Sequence, residues 1–217
     1  LAIGALCREN QNPRPDSSLF DVTKLVIRNP LWSRDTDIMY TTLRSLGKNL
    51  ERHTNYDDEV VYKDIDDGQG DLFKVKNKHI HVGNAGTAAR FMTALLCLQP
   101  DGEFYVDGDE AMYRRPMKGL TDALESLGAQ FTFHNTPGCI PFTLKTAPIT
   151  ASGVDVDASE SSQILSALLI MAAGLGRLFE VRLLGKTVSE PFVEMTAQML
   201  RQFGARCVKD DNNVFRV

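Results

Sequence analysis

"MKGLTDALESLGAQFTFH", residues 117–134, decides how this chain folds. Met117, Leu120, Ala123, Leu124 and Leu127 recur with the period of a helix that buries one face. Gly128 ends that pattern where a left-handed backbone would close a helix, and "AQFTFH" then alternates like a half-buried strand. The same sentence is written twice more, as "IMYTTLRSLGKNLERH" (38–53) and "FVEMTAQMLRQFGARCVK" (192–209). The closing glycines, Gly47, Gly128 and Gly204, stand 81 and 76 residues apart. A period of that size is an internal repeat, and it sets the frame for everything else.

Working outward, each copy is preceded by a second helix made of leucine and small residues. These are "LAIGALC" (1–7), "FMTALLCL" (91–98) and "ILSALLIMAAG" (164–174). Each runs on to a strand: "KLVIRNP" (24–30), "GEFYVDGD" (102–109) and "RLFEVRLLG" (177–185). Two strands follow each closing glycine, as in 129–146 and 205–217, and in copy one a longer acidic hairpin over 48–77. One strand more, "KHIHVG" (78–83) and "GVDVDAS" (153–159), opens copies two and three. The unit is therefore β-α-β-α-β-β, in an α/β (α+β) fold. Helices apolar on most sides must be enclosed, so three units pack helices inward with sheets outside. The expected division is one domain, 1–217, of three units at about 1–78, 79–150 and 151–217. Residues 1–7 carry no cap and read as the later half of a helix, which places the first strand of unit one before Leu1.

Composition narrows the function. A net charge of −4 with 43% hydrophobic residues describes an ordinary globular chain and argues against nucleic acid or anionic membranes as partners. No apolar run reaches the roughly 18 residues of a membrane span. Cys7, Cys97, Cys139 and Cys207 form no CxxC pair, which fits buried thiols in a reducing, cytoplasmic setting. Neither GxxxxGK[ST] nor GxGxxG is present. "DIDDGQGDLF" (64–73) lacks a ligand at position 68 for a calcium loop, and His79 and His81 have no further ligand in register, so no metal is expected.

The polar turns carry the chemistry. "GNAGTAAR" (83–90) and "ASESSQIL" (158–165) both join the first strand of a unit to its buried helix. Equivalent places in a repeat should bring both helix N-termini to one region, where free N–H groups and the helix dipole favour an anion. Gly83 and Gly86 allow close backbone approach; Thr87 or Asn84, and Ser161 or Ser162, are available as caps. Arg90 lies one turn past Thr87 and adds a forked cation. "MYRRPMKGL" (112–120) sets Arg114 and Arg115 before a helix expected to begin at Pro116, where the dipole gives cations no reason to stand. In "TVSEPFVEM" (187–195) Ser189 is the corresponding cap. Plain capping and solvated arginines are the bland alternatives; one helix end contributes only about 0.3–1 kcal/mol toward an exposed anion, so convergence of the two turns is what distinguishes a site.

"GNAGTAAR", "RRPM", "SESSQILSALL" and "VSEPF", in this order, resemble the N-terminal half of the 5-enolpyruvylshikimate-3-phosphate synthase family, over nearly the whole chain. The resemblance implies one domain of a two-domain enolpyruvyl transferase, the glyphosate target of the shikimate pathway. It implies transfer of an enolpyruvyl group from phosphoenolpyruvate to the 5-hydroxyl of shikimate 3-phosphate, with no cofactor and no metal. By motif, Asn84, Gly86, Thr87, Arg115 and Gln163 fall to phosphoenolpyruvate, and Ser161, Ser162, Gln163 and Ser189 to shikimate 3-phosphate. Arg90 and Arg114 support the site. None of these is an obvious general base, so a second domain of the same parent chain is the expected partner that completes the site. Against some members, Phe192 replaces a tyrosine, Glu190 a lysine and Phe91 a proline, and loop 7–22 is longer.

Overall fold

The structure is a computed structural model that describes residues 25–53, 59–62 and 72–217. The helix expected over 1–7, loop 7–22 and, in the acidic hairpin, residues 54–58 and 63–71, with 64–71 of the calcium-like stretch, lie outside the described residues.

Unit two contains β4 (Asn77–His81), α2 (Gly86–Leu96), β5 (Glu103–Asp107), α3 (Lys118–Ser126), β6 (Gln130–Phe133) and β7 (Phe142–Lys145). Unit three repeats the order with β8 (Gly153–Asp157), α4 (Ser162–Gly174), β9 (Glu180–Leu184), α5 (Glu190–Gln202), β10 (Val208–Lys209) and β11 (Val214–Arg216). Unit one shows β1 (Leu25–Arg28), α1 (Arg34–Ser45), β2 (Leu50–His53) and β3 (Glu59–Tyr62). The sheets run β4-β5-β7-β6, β8-β9-β11-β10 and β1-β3-β2, so one topology is laid down in each unit. In units two and three the first two strands are parallel, as a crossover through a buried helix requires, and the other pairings are antiparallel.

Burial follows the two periodicities. In β5, Phe104 and Val106 point inward while Glu103 and Tyr105 face out; Val154 and Val156 of β8 and Val181 and Leu183 of β9 do the same. α4 is apolar on all sides and enclosed accordingly, with Ile164, Leu165 and Ala167 through Ala172 all buried. It packs against α2; α1 lies on α2, α5 on α4, and α3 against both and on β8. Hydroxyls between these helices are paired: Thr93 Oγ1 donates to the Ala89 carbonyl (2.7 Å) and Thr196 Oγ1 to Ser166 Oγ (2.9 Å). Gly47, Gly128 and Gly204 have φ of 98°, 102° and 88°, the left-handed closure read from the sequence.

The repeat also explains an exposed apolar face. Nine residues before the closing glycines stand Ile38, Gly119 and Met195; five before stand Thr42, Ala123 and Met199. On α3 this face meets β8: a methyl group on Gly119 would lie 3.3 Å from the Asp157 carbonyl carbon, and closer still to its oxygen. On α1, Ile38 Cδ1 approaches within 3.0 Å of where a Gly83 side chain would begin, at the end of β4. The α3 face is covered by β8, the opening strand of unit three, while Ile38 of α1 approaches the chain just past β4. On α5 the counterparts Met195 and Met199 are 54% and 43% exposed, beside Phe192 at 59%.

Candidate anion site

The two polar turns meet. Gln163 Nε2 donates to Thr87 Oγ1 (2.8 Å) across 76 residues, and Arg90 NH1 donates to Gln163 Oε1 (2.9 Å). Parallel pairing of the first two strands in each unit sends α2 and α4 off from equivalent strand ends, and their mutual packing brings the N-termini together. The face expected from repeat position is the face observed.

Caps differ from expectation at α2 and α5 and match it at α4. Ala85 is the N-cap residue of α2 and no side chain caps it; Thr87 is occupied by Gln163 instead, and Asn84 is exposed. Ser161 caps α4 by accepting from the Gln163 N–H (3.3 Å), whereas Ser162 is buried in its first turn. Ser189 holds the N-cap position of α5 but makes no cap bond; it adopts the left-handed conformation (φ 54°, ψ 49°), leaving its hydroxyl available. Its loop is tied to the second turn through Thr187 Oγ1, which donates to the Ala158 carbonyl (3.0 Å).

Pro116 does not open a helix. A 3-10 helix spans Glu110–Arg114, Arg115 is extended (φ −85°, ψ 121°), and α3 begins at Lys118. The residue before a proline is steered away from helical geometry, which sets Arg115 apart from both helices. Pro116 instead contributes its carbonyl, to which Arg90 NH2 donates (2.6 Å). Arg90 thus joins Gly86 O (3.2 Å), Gln163 and Pro116 while only 5% exposed. Burial, and next the neighbouring Arg115 guanidinium, pull its pKa below the ordinary arginine value.

Gly86 shows how tightly cations crowd the turn. A side chain there would start 2.8 Å from Arg115 NH1 and 2.9 Å from Arg90 NH1. Two guanidinium groups therefore meet at the first residue of α2, on the positive end of its dipole. Arg115 and Arg114 are exposed, and among the described residues neither side chain has a hydrogen-bond or ion-pair partner. Glu160 of the second turn offsets part of this charge at Arg90, but Arg115 has no ion-pair partner among the described residues, and a cation left so at a helix N-terminus is a place prepared for an anion. A separate groove of about 590 Å³ between α3 and strands β8 and β9 is lined by Asp122, Asp155, Asp157 and Glu180 against one cation, Arg182, and is ill suited to anions.

The family model for EPSP synthase (3-phosphoshikimate 1-carboxyvinyltransferase) matches residues 17–217. The chain belongs to the EPSP synthase family. A 3-phosphoshikimate 1-carboxyvinyltransferase of Opitutus terrae is 39% identical over 183 residues, 84% of this chain and 41% of that protein. One from Cellvibrio japonicus is 35% identical, covering 88% and 43%. The chain thus spans about two-fifths of the length of these relatives. The fold matches EPSP synthase from Acinetobacter baumannii with a TM-score of 0.74 at 21% identity, covering all of this chain and 44% of that one. It also matches the enolpyruvyl transferase NikO from Streptomyces tendae with a TM-score of 0.59.

Two neighbours of the EPSP synthase turn escape the sequence reading. Arg34, from the start of α1, pairs with Asp109 (2.6 Å) beside Gly83. It precedes Gly47 by the same interval as Arg115 precedes Gly128, so aligning unit one on its glycine finds it. His79 Nε2 (3.0 Å) and His81 Nδ1 (2.8 Å) share Asp107 Oδ1 from the adjacent strand, and among the described residues no group could hold a metal ion.

Proposed function

We propose that this domain supplies one wall of the substrate site of a 3-phosphoshikimate 1-carboxyvinyltransferase. The parent enzyme moves the enolpyruvyl group of phosphoenolpyruvate onto the 5-hydroxyl of shikimate 3-phosphate and releases phosphate. The observation that carries the reading is the meeting of the GNAGT and SSQ turns beside the Arg115 guanidinium, which has no hydrogen-bond or ion-pair partner among the described residues. Phosphoenolpyruvate lies over Asn84, Gly86 and Thr87 with Arg115 on its anionic groups. Ser161, Ser162 and Ser189 take shikimate 3-phosphate, Gln163 stands between the two, and Arg90 and Arg114 support them.

Addition of the hydroxyl to the enol carbon, then elimination of phosphate, needs an acid and a base at that carbon. The residues gathered here are donors and cations, suited to holding anions and developing negative charge rather than moving protons. Those protons are assigned to a second domain of the parent chain, which closes on this one. The unit boundaries at about 1–78, 79–150 and 151–217 belong to the same proposal, as does an opening strand of unit one lying on α5. The exposed Met195–Met199 face supports that strand, because its counterpart on α3 is covered by β8. No helix of the described residues is long and apolar enough to cross a membrane, in keeping with a cytoplasmic metabolic enzyme.

The test is titration of the chain with shikimate 3-phosphate while backbone amides are followed by NMR. Shifts centred on Ser161, Ser162 and Ser189 are expected, with phosphoenolpyruvate alone binding weakly. Absence of shifts in those turns, or tight binding of phosphoenolpyruvate by this chain alone, refutes the proposal.

A further inference from the structure

The geometry points to Arg90 as a positioning residue that locks Gln163 and Thr87 into one hydrogen-bond direction, so that this part of the site presents donors only. The inference rests on the reading of the turns as an anion site and adds what enforces it. A guanidinium donates and never accepts. Gln163 must therefore turn its amide oxygen toward Arg90 NH1 (2.9 Å), which leaves the amide nitrogen facing Thr87 Oγ1 (2.8 Å). Thr87 Oγ1 is then the acceptor in that bond, and its single proton has to be given to something else. Among the described residues Thr87 has no other hydrogen bond, and the second N–H of Gln163 has no acceptor. Both unspent protons sit at the start of α2 beside the Arg115 guanidinium. A ligand there must bring acceptors, as phosphate and carboxylate oxygens do; a group presenting its own N–H or O–H meets only protons.

Stability alone does not account for Arg90. Its Nε is buried with no partner, and its charge lies against that of Arg115, both costs that an apolar residue would avoid. What the residue supplies is direction. Without it either amide orientation of Gln163 could bond Thr87, and half of those arrangements turn an oxygen toward the anion.

The experiment uses the whole chain, with Arg90→Met, Arg90→Lys, Gln163→Met and the Arg90→Met/Gln163→Met pair, and inorganic phosphate as probe. In the unliganded chain the Gln163 side-chain amide protons are expected to be protected from solvent exchange and displaced from the positions of a free glutamine, and to lose both properties in Arg90→Met. Phosphate binding should weaken roughly tenfold in Arg90→Met, the size of one charge-assisted bond. The double variant should bind no more weakly than Gln163→Met, because Arg90 acts through the amide. Arg90→Lys, whose ammonium also donates and never accepts, should hold the Gln163 amide and phosphate better than Arg90→Met does. Additive losses in the double variant, or an exchange-exposed Gln163 amide at free-glutamine positions in the unsubstituted chain, overturn the inference. The second result requires no variant to fold. If the unsubstituted chain shows a locked amide yet no phosphate binding, the anion-site reading fails while the locking stands.

Discussion

Gly119→Ala tests the spacing on which the site depends. Gly119 is the second residue of α3, and three residues before it Pro116 receives Arg90. Two effects compete. Alanine favours a helix over glycine by about 1 kcal/mol in an interior position, and less in a first turn. Against that, the added methyl would drive into the Asp157 carbonyl, lie 3.3 Å from its carbon and 3.4 Å from Ile164 Cδ1. The obstacle is backbone in β8, which cannot swing aside as a flexible side chain would. Overpacking of this kind costs about 1–3 kcal/mol, and contact with main chain belongs at the upper end. Net destabilisation of about 1–2 kcal/mol follows from the two estimates. For a chain of this size that is a fall in Tm of roughly 2–8 °C. Thermal unfolding followed by circular dichroism measures it. Because β8 leads directly into the 158–163 turn, phosphate-induced shifts at Ser161–Gln163 should also shrink. A variant as stable as the parent, or more so, would show that α3 does not rest on β8 as described.

Arg115→Gln should leave Tm nearly unchanged, within about 0.5 kcal/mol, because the side chain has no protein partner among the described residues. It should weaken phosphate or phosphoenolpyruvate binding by roughly tenfold to a hundredfold in an NMR titration; a large Tm loss with unchanged binding would make it structural. Cys97 is fully enclosed, and burial pushes its thiol up to about 12. Iodoacetamide at pH 8 should therefore modify Cys97 only as fast as the chain unfolds. The unfolded chain ionises this thiol first, so its contribution to stability is complete below the ordinary thiol pKa and is lost as pH rises toward 12. Asp210 is held below 3.8 by the Val214 N–H, with help from Arg216 and Asn212. Its contribution is present above that value and lost as pH falls through the lowered pKa, so Asp210→Asn should lower stability above pH 5 and flatten the acid limb of the stability profile.

What could be read in advance depended on how local the cause was. The three closing glycines and the apolar spacing before them are properties of single helices, and they delivered the units and their order. Meeting of the turns was legible at one remove, because equivalent positions in a repeat inherit equivalent directions. The caps were legible only in part: Ser161 closes α4 as its place before the helix suggests, whereas the start of α2 has no side-chain cap. Thr87 looks like a cap from its neighbours, yet its partner stands 76 residues away on α4. Arg90 is visible as a cation, but its grip on the Pro116 carbonyl depends on a 3-10 turn that no apolar period announces. Met195 and Met199 fit a buried stripe by spacing and are exposed, because burial requires the covering strand as well as the helix.

Specificity in this site comes from the order in which donors and acceptors are assigned. The helix dipole and the arginines draw in any anion, and at about 0.3–1 kcal/mol per helix end the dipole alone discriminates poorly. Ser161 meets the backbone demand of α4, which frees the side chain of Gln163 from capping. Arg90 takes the oxygen of that amide, and Thr87 receives its nitrogen. Each step removes an acceptor from the surface and leaves a proton facing outward. Arg115 stands clear between a 3-10 turn and α3, with no hydrogen-bond or ion-pair partner among the described residues. A preorganised wall of donors with a free cation at its edge holds an anion in fixed register. On the function proposed above, that is what an addition–elimination between two anions asks of a wall that gathers donors and cations rather than proton-transfer groups.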